Sequence, residues 1–146
     1  MTRPTEQFLI RTSWVAVGAW AITVFILSSV SGDKIEPYML PVFGWDKIVH
    51  GAFFGIGALL LGAALRYSTR LPINRVAGYA FALISLYGML DEWHQLLTPK
   101  RSGADVGDWI ADTIGALVAV LVIRRFYGRT RIPEIARENS RVASGD

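Results

Sequence analysis

Apolar residues in this chain come in long unbroken blocks rather than in the one-sided stripes of a soluble helix. Trp14 to Val30 and Val76 to Leu90 carry no charged residue. Ile48 to Leu65 contains only His50 that can take a charge, and Ile110 to Ile123 only Asp112. A bilayer core of ~30 Å takes about 20 helical residues. The blocks therefore predict four transmembrane helices, over about 12–31, 46–66, 75–97 and 105–124. The expected fold class is all-α, a compact antiparallel bundle of four transmembrane helices in one domain, 1–128, with a polar cytoplasmic tail at 129–146. The loops between them carry breakers: Gly32, Pro37 and Pro41, then Pro72, then Pro99 and Gly103.

The blocks are shorter than the helices they imply. Val76 to Leu90 spans 15 residues, only about 22 Å of helix, so the third helix must run on through Asp91, Glu92, His94 and Gln95 to cross. The fourth needs Asp105, Asp108 and Asp112 for the same reason. The second starts with Asp46-Lys47 and then His50, and the first ends in Ser28-Ser29. These polar ends fall at one level of the bundle. Isolated charges at that depth cost a few kcal/mol each, so they are expected to face one another. At 100° per residue Gly88, Asp91, Glu92 and Gln95 share a face, with Trp93 roughly opposite. Asp105, Asp108 and Asp112 share another, and Asp46 and His50 lie one turn apart. Small-residue stripes run beside them: Gly51, Gly55, Ala58 and Gly62, and Gly107, Ala111, Gly115 and Ala119. Such stripes let helices approach closely. The sequence thus predicts a ligand-binding polar pocket of Asp46, Lys47, His50, Asp91, Glu92, Gln95, Arg101, Asp105, Asp108 and Asp112, with Ser28 and Ser29 at its rim.

Charge sets the orientation. Arg3, Arg11, Arg66, Arg70, Arg75, Arg124, Arg125, Arg129 and Arg131 flank one side, against Lys34, Lys47, Lys100 and Arg101 on the other. That bias predicts both termini in the cytoplasm and the pocket towards the outer leaflet. The first block is longer than a signal-peptide core and is read as an uncleaved span. The net charge of +3 suggests no nucleic-acid partner, because the basic residues cluster at membrane edges and no recognition motif accompanies them. Cysteine is absent, which removes thiolate ligands and nucleophiles.

The same polar residues carry a family resemblance. Ser28-Ser29, DKIVH at 46–50, DEWHQ at 91–95, Arg101-Ser102, and Asp105, Asp108 and Asp112 with Gly115 follow one another on four spans. In that order they resemble the VanZ-like membrane protein family over roughly residues 12 to 123. Gly51 departs from the bulky residue common after the histidine, and Asp112 from the common asparagine. The resemblance implies a multi-pass protein of the bacterial cell inner (cytoplasmic) membrane, in a family whose founding member is associated with low-level resistance to the glycopeptide teicoplanin.

Six carboxylates meet two cations in the predicted pocket, and three readings follow. The first is binding of a membrane lipid, or of a lipid-linked or cell-wall precursor, with Arg101 and Lys47 meeting an anionic group. The second is a metal-dependent membrane enzyme acting on a phosphorylated lipid or precursor. Asp105, Asp108, Asp112 and Glu92 would hold Mg²⁺ or Mn²⁺, and His50, Glu92 or Asp91 would move protons. The third is a charge cluster that only fixes helix register. Oligomeric state is not indicated.

Overall fold

The computed structural model describes residues 4–38 and 44–127. Five helices follow in order: α1 (Pro4–Ser28), a short α2 (Gly32–Ile35) that runs into a 3-10 turn (Glu36–Tyr38), α3 (Trp45–Ser68), α4 (Ile73–Gln95) and α5 (Val106–Tyr127). Four of them are long and apolar enough to cross a membrane, and they pack into one bundle. Helix α1 begins at Pro4, ahead of the expected span, and in its first turns the hydroxyls of Thr12 and Ser13 bond back to the carbonyls of Phe8 and Ile10. The first loop is not irregular throughout, since it holds α2 and the 3-10 turn. Arg3, Pro41, Arg129, Arg131 and the predicted tail from 129 lie outside the described residues.

Small residues fill much of the interior, beside the buried Trp20, Phe54, Leu61, Ile84 and Ile123, and many large ones face outward. Ala58, Ala64, Val76, Ala77, Ala80 and Ala116 are buried, while Val15, Ile22, Ile26, Trp93, Leu97 and Phe126 point outward. A soluble protein would hide the larger set; in a bilayer, close helix packing selects small residues inside. The tightest seam joins α3 to α5. A Cβ added at Gly115 would stand 1.9 Å from the Gly51 carbonyl oxygen, and one at Gly51 would stand 3.1 Å from that of Ala111. Gly62 makes room for Ile123 further along. Contacts that rise together in number show the two helices running parallel, as alternate spans must.

Helix α1 is attached by larger side chains. The Trp20 ring lies against Gly57 and Phe54, and its Nε1 donates to the Phe53 carbonyl at 2.9 Å. The Tyr87 hydroxyl donates to the Ala21 carbonyl at 2.8 Å. At the polar end, the segment after α1 is stitched to the α4–α5 loop. Gly32 N–H and the Ser31 hydroxyl both donate to the Pro99 carbonyl at 3.1 Å. Lys100 Nζ lies 3.0 Å from Asp33 Oδ2. The Ser31 hydroxyl, and then the Lys100 ammonium, hold the Asp33 carboxyl below the usual carboxylate range. The close approach requires glycine at 32, where a Cβ would meet the Lys100 carbonyl oxygen at 1.8 Å.

Candidate functional site

The α3–α5 seam brings the first turns of these two helices side by side, and that places Lys47 among carboxylates. Its Nζ lies 3.0 Å from Asp46 Oδ2, 2.8 Å from Asp105 Oδ2 and 2.7 Å from Asp108 Oδ1. Asp105 also starts α5: its Oδ1 accepts from Gly107 N–H at 2.7 Å, the bond expected of a capping aspartate. One turn deeper, His50 Nδ1 faces Asp112 Oδ1 at 3.1 Å. The bond holds the His50 ring in place, with Nε2 directed to Asp108 Oδ2 at 3.8 Å. Asp112 is fully buried. Its Oδ2 makes no hydrogen bond within the protein and fits against Gly88, where a Cβ would stand 2.7 Å away.

Helix α4 supplies the third side. Gln95 Nε2 donates to Asp91 Oδ2 at 2.9 Å and to Glu92 Oε1 at 3.3 Å. Glu92 Oε2 accepts from Asp105 N–H at 2.9 Å, and its main-chain carbonyl accepts from Ala104 N–H at 2.9 Å. His50, Glu92 and Asp108 each offer a ligand atom, all within 4.8 Å of one another.

Next to this cluster, between α1, α3 and α4, lies a cavity of about 360 Å³. Val24, Leu27, Ile35, Val49, Phe53 and Phe54 make its apolar wall. Asp46, His50, Asp91, Gln95, Ser28 and Arg101 make its polar end. Arg101 Nη2 donates to the Leu27 carbonyl at 3.0 Å, and Thr98 Oγ1 to that of Ser28 at 3.1 Å, so the α4–α5 loop caps the free carbonyls that end α1. Arg101 Nε is buried with no hydrogen-bond partner. Among the described residues Arg101 forms no ion pair.

The expected single pocket is thus two compartments. Asp91, Glu92, Gln95, Asp108 and Asp112 are buried and directed inward, as the helical faces required. But Lys47, Glu92, Asp105, Asp108 and Asp112 form a separate cluster on the α5 side, partly exposed at Lys47 and Asp105, and do not line the cavity. Lys47 is held by three carboxylates rather than presented to an anion. Of the expected rim, Ser28 lines the cavity, whereas Ser29 turns away to His94, whose Nε2 lies 2.9 Å from its hydroxyl and whose ring stacks on Phe25. Of the four expected metal ligands, only Glu92 and Asp108 converge, and His50 joins them. Asp105 is taken by Lys47 and Gly107, and Asp112 by His50. The apolar wall was not foreseen, although Asp46, Val49, His50 and Phe53 at helical spacing already marked one face of α3 as half polar and half apolar.

The family described as VanZ/LLP1 matches this sequence over residues 9–127. Neither the curated proteins nor the solved structures contain a match.

Proposed function

The chain belongs to the VanZ/LLP1 family, and on that premise we propose that it recognises one amphiphilic molecule of the cell envelope, a membrane lipid or lipid-linked precursor. The observation that carries this reading is the buried, unpartnered Nε of Arg101 at the polar end of an otherwise apolar cavity. An unmade hydrogen bond on a buried N–H is costly, and an anionic group entering the cavity would complete it. The apolar wall would take part of a lipid chain. The arginine bias supports a reading with this end of the bundle at the outer leaflet and the termini cytoplasmic, in a bacterial inner membrane. A lipid-linked cell-wall precursor there would also agree with the family's link to teicoplanin resistance. Native mass spectrometry of protein extracted in mild detergent should show a chain-plus-lipid mass. Val49→Trp, which fills the cavity, should abolish it, while Val118→Trp on the outer face of α5 should not. A bare chain in every preparation would sink the proposal.

The convergence of His50, Glu92 and Asp108 favours a second reading, a metal-dependent enzyme. Asp112 orients His50 as a carboxylate orients a metal-bound histidine, leaving Nε2 free. The cluster would hold a divalent cation such as Mg²⁺ or Mn²⁺, whose charge would offset the surplus of carboxylates, and which would activate a phosphate-bearing substrate. On this reading Mg²⁺ or Mn²⁺ raises the Tm of the wild type by several degrees and leaves Glu92→Gln unmoved. Equal shifts in both proteins, or none, would remove it.

A further inference from the structure

The cavity has charge of both signs that does not meet. Arg101 and the carboxylates of Asp46 and Asp91 line the same space, yet Arg101 pairs with neither. Each is held back by a different neighbour: Arg101 by the Leu27 carbonyl, Asp91 by Gln95, and Asp46 by Lys47. Opposite charges that line one cavity with an apolar wall attract one another. A purely structural set would be expected to close into ion pairs. Here the loop cap on α1 fixes the guanidinium, and the α4 and α3 bonds fix the carboxylates, so a gap is built between them. The group that fills such a gap best is itself dipolar. An acidic headgroup alone would satisfy Arg101 but stand against two carboxylates. An uncharged one would leave the Arg101 Nε without a charged partner.

We propose that the cavity selects a zwitterionic phospholipid headgroup, with its phosphate on Arg101 and a primary ammonium on Asp46 and Asp91. This deepens the amphiphile reading above and rests on it. The primary amine matters because its N–H groups can each bond a carboxylate oxygen, which a quaternary ammonium cannot. The apolar wall at Val49 and Phe53 favours a lipid over a soluble phosphoamine as the source.

The test is competitive lipid retention by the full chain in nanodiscs or detergent, read by native mass spectrometry. The four lipids are phosphatidylethanolamine, phosphatidylcholine, phosphatidylglycerol and diacylglycerol with matched chains. Phosphatidylethanolamine should be retained roughly tenfold or more over phosphatidylglycerol, the ratio expected from one charge-assisted bond. Phosphatidylcholine should fall between them. Arg101→Gln should weaken all three phospholipids alike. Asp46→Asn, at a half-exposed position, should erase the preference for phosphatidylethanolamine while phosphatidylglycerol is held as well as before or better. Asp91→Asn should do the same. Retention of phosphatidylglycerol equal to or above phosphatidylethanolamine, or a preference untouched by Asp46→Asn, overturns the headgroup assignment and leaves lipid binding standing. Retention of soluble phosphoethanolamine at the level of the lipid overturns the choice of source. Retention of no lipid at all overturns both readings.

Discussion

Adding one methyl group at Gly115 is expected to destabilise the bundle by about 3 kcal/mol, near the top of the range for overpacked interiors. The new Cβ would stand 1.9 Å from the Gly51 carbonyl oxygen, 2.7 Å from its carbonyl carbon and 2.9 Å from its Cα. All three are backbone atoms of α3, so no side chain can turn aside. The helices must part, and parting them also loosens Lys47 from the α5 carboxylates. The comparison is Gly78→Ala on α4, where the added atom meets nothing within 4 Å. There alanine should stabilise by roughly 0.5–1 kcal/mol, through helix propensity alone. Unfolding of both variants in mixed micelles separates the cases. A Gly115→Ala protein as stable as Gly78→Ala would mean that α3 and α5 are not in backbone contact.

The second large effect is expected at His50. Among the described residues its ring is the one hydrogen-bonding partner of the Asp112 carboxylate, which has no exposure to solvent. His50→Ala should therefore cost about 3–5 kcal/mol, the range for leaving a buried charge alone. The double variant His50→Ala/Asp112→Asn should recover a large part of that loss, because the neutral amide no longer needs a counter-charge. Asp112→Asn alone should cost less than His50→Ala, since His50 keeps a hydrogen-bond acceptor in the amide oxygen. The three unfolding free energies form a cycle whose coupling isolates the pair. Additive losses would show that His50 supports the cluster only by packing.

How far the sequence discloses this site depends on which forces are local. The four spans follow from block length against bilayer thickness. The inward direction of Asp91, Glu92 and Gln95 follows from helical period together with the cost of charge in lipid. Both arguments need only residues close in the chain. The partition into an ion-paired cluster and a separate cavity is different. It depends on α3 choosing α5 over α1 as its nearest partner. The glycine stripes announce a close contact without saying with whom. Once α3 and α5 touch at Gly51 and Gly115, Lys47 falls between Asp105 and Asp108 and is paired there. The second contact of Arg101 is hidden for a related reason. Its tie to the Leu27 carbonyl joins positions far apart in the chain, and no spacing signals that a loop arginine will cap the first helix. The short α2 is missed because Pro37 and Gly32 read equally well as breakers and as helix ends.

The contrast between the two kinds of helix contact also has a mechanical consequence. Glycine brings α3 and α5 together at the backbone, which makes a stiff spine. Helix α1 instead leans on that spine through Trp20 and Tyr87 and is fastened at its polar end by the Pro99 stitch and the Arg101 cap. Side-chain contacts of this sort slide and tilt at lower cost than a backbone seam can part. The wall of the cavity that can yield is therefore the α1 side, which lies against the lipid, and the fastened polar end acts as its pivot. A molecule entering from the bilayer would slip in sideways behind α1, chain following headgroup, without the bundle having to open to water.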